Sequence, residues 1–599
     1  MPKLRWLRTS ACAALIGTLA APTTALTPRP ATGDGTVSVE ACRELGFDIT
    51  RRQVDRYAQQ RMAAPSPTYA PPPPPPPPPP VEIQGVTVTG SRTVRQDFES
   101  VAPVTTTGRS GPTIPHGPPP GSVETERYPD ATVNPVKRVA EQPVSTFSID
   151  VDTASYANVR RFLNEGRLPP RDAVRVEELI NYFNYDYPLP ESRNEPFRPF
   201  VAVTPSPWNQ GKRIVHVALQ GYDIPRAEQP PLNLVFLVDV SGSMQGPDRL
   251  QLAQQSLNVL IDRLRPEDRI SLAVYAGAAG AVLEPTSGRE KLKLRCAVES
   301  LEAGGSTAGG AGLELAYGLA QRHFRRDAVN RVILMTDGDF NVGVSDPEKL
   351  EDFVAEKRRS GVYLSVYGFG RGNYNDTLMQ ALAQTGNGTA AYVDSLREGR
   401  KIFHDDFESG LFPIADDVKI QVEFNPAQVS EWRLVGYETR LLNREDFNND
   451  RVDAGEVGSG AAVTALYEIT PAGEPGSVDP LRYQAERPPA GRSGEIAFLR
   501  VRYKLPGEAS SRLMERAIGE ADAMRSLDAA PASTRWAIAV ASWGQKLRGD
   551  PWISDEVSWA EVERLATVNE RNDALGLRAE FVDLARRTGE VGPAATAGR

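Results

Sequence analysis

The 599-residue chain predicts an α/β fold: a doubly wound, mostly parallel, Rossmann-like sheet inserted between β-rich segments that form a β-sandwich, with helical flanks at both ends. Three observations carry this expectation. Between 231 and 412, nearly continuous apolar strand candidates (232–240, 269–275, 331–336, 363–369) alternate with helix candidates (248–264, 310–325, 347–360). Repeated β-α units of that kind mean parallel strands covered by helices on both faces. Strand candidates also lie on both sides of the block, at 200–204 and 213–220 before it and at 418–424, 432–437, 462–469 and 495–503 after it. The simplest packing pairs them across the insertion. Finally, Val176, Leu179, Ile180 and Phe183 before the block, and Trp536, Ile538, Val540 and Trp543 after it, mark helical segments.

The elements follow in order. Residues 1–26 carry Lys3, Arg5 and Arg8, an apolar run at 11–21 and small residues ending at Ala25, the pattern of a cleaved secretory signal. The apolar run is too short to cross a ~30 Å hydrocarbon core, and no other stretch reaches 18 apolar residues. An exported protein of the bacterial periplasm or cell surface, with no transmembrane helix in the mature chain, is the expectation. Cys12 lacks a lipobox, which argues against a lipid anchor, and the remaining Cys42 and Cys296 are too few for a disulfide scaffold. Residues 27–142 read as a disordered proline-rich linker with a charged helix-like piece at 39–62 and ten consecutive prolines at 71–80, a stiff polyproline II spacer of ~31 Å. Just beyond, Val-Thr-Val-Thr-Gly-Ser-Arg at 86–92 is similar to a short motif of TonB-dependent outer-membrane receptors, although no β-barrel pattern follows; an exposed extended strand is the plainer reading. A family-specific α+β domain is expected over 143–230, with a strand at 145–152 and helices at 153–165 and 173–183. The α/β domain spans 231–412, a β-rich segment 413–505, and a helical segment 506–599.

The chemistry concentrates on three loops. Strand 232–240 runs into Asp239, Ser241 and Ser243, so one carboxylate and two hydroxyls emerge at its carboxyl end, where open α/β sheets bind ligands. A hard divalent cation such as Mg²⁺ takes six oxygens at ~2.0–2.1 Å and keeps several waters. Serines and an aspartate at alternate positions of a tight loop supply part of that shell. Thr307, in a Gly-rich loop before a helix, and Asp337, in Thr-Asp-Gly after another apolar strand, add oxygens from the same sheet edge.

These residues, in this order, resemble the metal-ion-dependent adhesion site (MIDAS) of von Willebrand factor A domains, matched here at Asp239, Ser241, Ser243, Thr307 and Asp337. The resemblance implies Mg²⁺ or Mn²⁺ held directly by the two serines and Thr307, with Asp239 and Asp337 acting through water and hydrogen bonds. It also implies one position open to an Asp or Glu carboxylate of a protein partner. Ser-Ile-Asp-Val-Asp-Thr-Ala-Ser-Tyr at 148–156, Arg-Val-Glu-Glu-Leu-Ile-Asn-Tyr-Phe at 175–183, Thr-Asp-Gly-Asp-Phe-Asn-Val-Gly at 336–343, Asp-Phe-Asn-Asn-Asp at 446–450 and Thr-Ala-Leu-Tyr at 464–467 resemble the YfbK-like group of bacterial von Willebrand A proteins, over 140–590.

Other signals point elsewhere or nowhere. With 68 basic and 77 acidic residues, the net charge of −9 offers no footprint for nucleic acid. The Gly-rich loop at 304–310 lacks the Gly-Lys-Ser/Thr ending of a nucleotide cradle. His116, His216, His323 and His404 are scattered, without zinc-ligand spacing, and Ser243 has no nucleophile elbow. Asp446, Asn448 and Asp450 begin like a calcium loop, but Arg451 and Val457 stand where glycine and glutamate are required. Asp150 and Asp152 precede a helix, and Asp152 is read as its cap. Metal-assisted hydrolysis has only Asp339 as a spare carboxylate. The reading is therefore a non-enzymatic envelope protein that binds another protein through the metal site. Its rival is an accessory or scaffold protein for TonB-linked outer-membrane transport or envelope assembly, acting through 86–92 and the proline spacer.

Overall fold

The computed structural model describes residues 37–62, 126–129, 132–149, 152–305, 309–338, 347–452, 454–479, 481, 494–555, 557–567 and 573–596. The proposed signal, the proline run, the 86–92 motif, Asp150, Thr307 and Asp339 lie outside them.

At the centre is a six-stranded sheet ordered Ala390–Val393, Tyr363–Phe369, Val329–Thr336, Leu232–Asp239, Arg269–Tyr275, Ala279–Ser287. All neighbours are parallel except the last pair, an antiparallel hairpin at the edge. Strand Leu232–Asp239 is buried along its whole length, so both of its faces must be apolar. Leu234, Phe236 and Val238 enter one core, while Val235 and Leu237 enter the other, the period-two alternation of a covered strand. The chain leaves this strand for Arg269–Tyr275 on one side and later returns to Val329–Thr336 on the other. That reversal opens a crevice at the carboxyl end of Leu232–Asp239.

The expected sandwich is present. One sheet runs Lys137–Arg138, Val429–Val435, Ala462–Pro471, Arg213–Gly221, Phe197–Pro205. The other contains Val457–Gly458, Pro413–Phe424, Glu495–Lys504 and Arg512–Gly519, with Val144–Ser148 also paired to Pro413–Phe424. Phe424 of the second sheet stacks on Trp432 of the first at 5.2 Å and meets Tyr467 at 5.3 Å, closing the core between them. The outer face of the first sheet is covered by helices. Along Arg213–Gly221, Val215, Val217 and Leu219 face the second sheet, while Ile214 and Ala218 pack with Trp536, Trp543 and Phe581 of the C-terminal helices.

Three expectations need correction. The run 509–587, read as helical, opens with strand Arg512–Gly519 paired to Glu495–Lys504. This is an edge strand that leaves Leu513 half exposed, so its apolar signal is weak, and its Met, Glu and Arg residues favour helix intrinsically. Asp152 does not cap the following helix: Thr153 is the N-cap residue, and the Asp152 carboxylate accepts from Ala390 N at 3.0 Å and pairs with Arg440 at 2.9 Å. The piece at 39–62 forms helices Val39–Glu44 and Arg51–Met62. It is tied down rather than part of a free linker, because Cys42 is disulfide-bonded to Cys296 in helix Lys291–Glu299, 254 residues away. Gln53 adds a hydrogen bond of 2.9 Å from Nε2 to the Glu299 carbonyl. Two cysteines far apart in sequence reveal no distance between their Cα atoms, so this pairing was invisible beforehand.

In the calcium-like loop the oxygens are already engaged. Asp446 Oδ2 accepts from the backbone and side-chain nitrogens of Asn443 at 3.0 and 2.9 Å, and Asp450 pairs with Arg502 at 3.1 Å.

Candidate functional site

Asp239 is the last residue of its strand and is fully buried. Its Oδ1 accepts from the Ser241 backbone N–H at 2.8 Å, and its Oδ2 accepts from Tyr275 Oη at 3.0 Å and Thr336 Oγ1 at 3.3 Å. Each donor comes from a different strand end or loop, so the carboxylate is fixed by the sheet's register. Asp239 is the direct ladder partner of Tyr275. The turn that follows places Ser241 Oγ and Ser243 Oγ 2.9 Å apart. Arg249 clamps this turn from outside, donating from Nη1 to the Ser243 carbonyl at 2.5 Å and from Nη2 to the Arg371 carbonyl at 2.7 Å.

The second loop is stitched to the first: Gly304 N–H donates to the Val240 carbonyl at 2.8 Å and Gly242 N–H to the Gly305 carbonyl at 3.0 Å. That brings the chain to the site immediately before residues 306–308. The third loop begins at Asp337, which is 1% exposed. Gly338 beside it has φ near +96°, and an added Cβ would meet the Asn373 carbonyl oxygen at 2.6 Å. Only glycine fits there, since both the left-handed backbone and the close loop exclude a side chain.

Of the five residues expected from sequence, four are described, and they gather at one sheet edge. Tyr275, Thr336 and Arg249 were missed. Thr336 stood next to Asp337 in the motif, but Tyr275 and Arg249 arrive through register and loop packing, for which a single sequence carries no signal.

Electrostatically the site is short of positive charge. Burial raises the Asp239 carboxyl above its ordinary range, the neighbouring Asp337 charge adds to this, and the hydrogen bonds to Asp239 pull it back. Among the described residues Asp239 has hydroxyl and amide donors but no cationic partner. Nor do three or more His, Cys, Asp or Glu side chains cluster as a metal cage among the described residues. The donor set is therefore of another kind: hydroxyl oxygens backed by two buried carboxylates, suited to a hard cation.

A doubly wound sheet whose switch point carries this serine and aspartate turn defines a von Willebrand A domain. Compared with known proteins, the chain matches the "von Willebrand factor type A domain" family over 233–405, the "von Willebrand factor" family over 122–216, and the family described as "Uncharacterized protein YfbK, C-terminal" over 409–591. It is 44% identical over 468 residues to Uncharacterized protein YfbK of Escherichia coli (strain K12), covering 77% of this chain and 80% of that one. The chain belongs to the YfbK-like family of bacterial von Willebrand A proteins. A 26% identity over 206 residues links it to inter-alpha-trypsin inhibitor heavy chain H4 of Homo sapiens, over 33% of this chain and 22% of that one. Among solved structures, "von Willebrand factor type A from Catenulispora acidiphila" aligns at 17% identity and a TM-score of 0.37, over 66% of this chain and 91% of that one. Von Willebrand A domains typically mediate protein–protein interaction, are generally not enzymes, and commonly bind a divalent metal. No helix among the described residues is long and apolar enough to cross a membrane.

Proposed function

We propose that this chain is an exported, non-enzymatic protein of the bacterial envelope that captures a protein partner through a divalent cation, Mg²⁺ or Mn²⁺, at the Asp239 edge. Ser241, Ser243 and Thr307 would hold the cation directly, and Asp239 and Asp337 would orient them and supply counter-charge. When bound, the cation offers a coordination position to an Asp or Glu carboxylate of the partner. The observation that carries this reading is the buried Asp239 carboxylate, which has no positive partner among the described residues and anchors, through the Ser241 N–H, the turn that brings two serine hydroxyls within 2.9 Å of each other. A buried charge is retained only when something compensates it. The Cys42–Cys296 bond supports the exported part of the reading, because structural disulfides persist in oxidising compartments.

The test is capture from envelope extract by the full chain in Mg²⁺, in EDTA, and with the Asp239→Ala protein. A partner held only by the wild-type chain in Mg²⁺ is the expected result. Capture indifferent to both chelation and substitution would sink the proposal.

A further inference from the structure

Strand Tyr363–Phe369 runs parallel to Val329–Thr336, so the loop after it, 370–375, emerges at the same carboxyl edge of the sheet as Asp239. This loop touches two turns of the candidate site. On one flank the Arg371 carbonyl accepts from Nη2 of Arg249, the residue whose Nη1 donates to the Ser243 carbonyl. Gly370 has φ near +71°, and an added Cβ would collide with the Arg249 side chain, so the loop and the clamp are already in contact. On the other flank, a Cβ added to Gly338, next to Asp337, would meet the Asn373 carbonyl oxygen at 2.6 Å and the Asn375 nitrogen at 2.8 Å. A shift of the loop therefore reaches the serine turn and the aspartate turn together.

What fixes this loop comes from outside the α/β domain. Arg127 forms a parallel bridge with Asn375: its N–H donates to the Tyr374 carbonyl at 3.1 Å, and Asp376 N–H donates to the Arg127 carbonyl at 3.0 Å. The Glu126 carboxylate, 6% exposed, spans loop and helix. One oxygen accepts from Gly372 N–H at 2.9 Å, and the other accepts from Nη2 of Arg161, in helix Ala154–Asn164, at 2.8 Å. Both are charge-assisted bonds, stronger than neutral ones. Glu165, just past that helix, pairs with Arg371 at 2.9 Å. Loops are normally the first parts of a fold to open; this one is pinned at Gly372, Tyr374 and Asp376 by a segment that precedes the domain.

We propose that Glu126 and Arg127 are positioning residues of the cation site: docked on 370–375, they hold the Ser243 and Asp337 turns in one fixed relation, and their release weakens binding of the cation. The inference rests on the reading of the Asp239 edge as a cation site.

The test compares three variants of the full chain by Mn²⁺ titration calorimetry and, without metal, by amide hydrogen exchange. Arg127→Pro removes the N–H given to Tyr374 at a residue whose side chain is exposed. Glu126→Ala removes the carboxylate, and Arg127→Ala keeps both backbone bonds. The first two weaken Mn²⁺ binding about tenfold, the lower end of what orienting groups contribute, and quicken exchange at 240–244 and 370–376 while strand Leu232–Asp239 stays protected. Arg127→Ala matches the wild-type chain. Wild-type Mn²⁺ affinity in both Arg127→Pro and Glu126→Ala overturns the positioning role and leaves the cation site standing. Absence of Mn²⁺ binding by the wild-type chain overturns the cation site and this role with it. Exchange that quickens equally along Leu232–Asp239 marks general loosening of the fold and also overturns the proposal.

Discussion

Tyr275 Oη donates a 3.0 Å hydrogen bond to Oδ2 of Asp239, from the residue directly opposite it in the parallel ladder. The phenol orients the carboxylate that stands behind the proposed cation. Groups that orient ligands in this way typically govern affinity by ~10–100-fold. Tyr275→Phe should therefore weaken Mn²⁺ binding about tenfold while leaving the circular dichroism spectrum unchanged. Titration calorimetry decides it, and wild-type affinity in the variant would show that Tyr275 is packing alone.

Arg160 binds three acids at once: Asp394, Glu398 at 2.8 Å and Glu580 at 3.1 Å. It joins helix Ala154–Asn164 to the α/β domain and to the C-terminal helix. Removing one member of a buried ion set strands the others, at a cost of ~3–5 kcal/mol. Arg160→Met should lower stability by about that amount. Urea denaturation provides the measurement, and a change below about 1 kcal/mol would place the cluster with surface pairs.

His216 is buried between Tyr187 Oη at 2.8 Å and Thr534 Oγ1 at 3.0 Å, and burial pushes its imidazole down to about 3. The folded state thus refuses a proton that the unfolded chain accepts below its ordinary value near 6.5. Its contribution is fully present above that value and is lost as pH falls toward 3, by ~1.4 kcal/mol per pH unit. Relative to His216→Gln, the wild-type protein should lose about 2–3 kcal/mol between pH 7.5 and pH 4.5. The difference between the two proteins isolates this residue from the carboxylates; equal slopes would refute the assignment.

The Cys42–Cys296 bond closes a loop spanning 254 residues. Such bonds typically contribute ~2–4 kcal/mol. Reduction, or the Cys42→Ser and Cys296→Ser double variant, should lower the melting temperature and open residues 37–62 to proteolytic cleavage that they resist in the disulfide-bonded chain. Unchanged protection of that segment would mean its apolar contacts suffice.

How legible the molecule was in its sequence depended on where each signal resides. Strands Arg269–Tyr275 and Tyr363–Phe369 were placed to the residue, because burial on both faces writes an apolar run bounded by turns. Strand Ala279–Ser287 was not, since it lies on an edge and is mostly half-buried, and Val282 and Leu283 are its only large apolar residues. Ala390–Val393 is four residues long, too short for any periodicity. At the site, Asp239, Ser241 and Ser243 form one local turn and were visible together. Tyr275 and Arg249 act from other segments, and their approach to this turn exists only in three dimensions.

The inserted α/β domain is attached at both ends, and the two attachments lead to different sheets. Strand Arg213–Gly221 of the first sheet precedes it, and strand Pro413–Phe424 of the second follows it. A pull on the proposed partner at the Asp239 edge would therefore be shared between two strands in two hydrogen-bonded layers, and the tether would behave as a yoke rather than a single thread. Severing the backbone at one crossing would halve the number of load paths without changing any atom at the Asp239 edge.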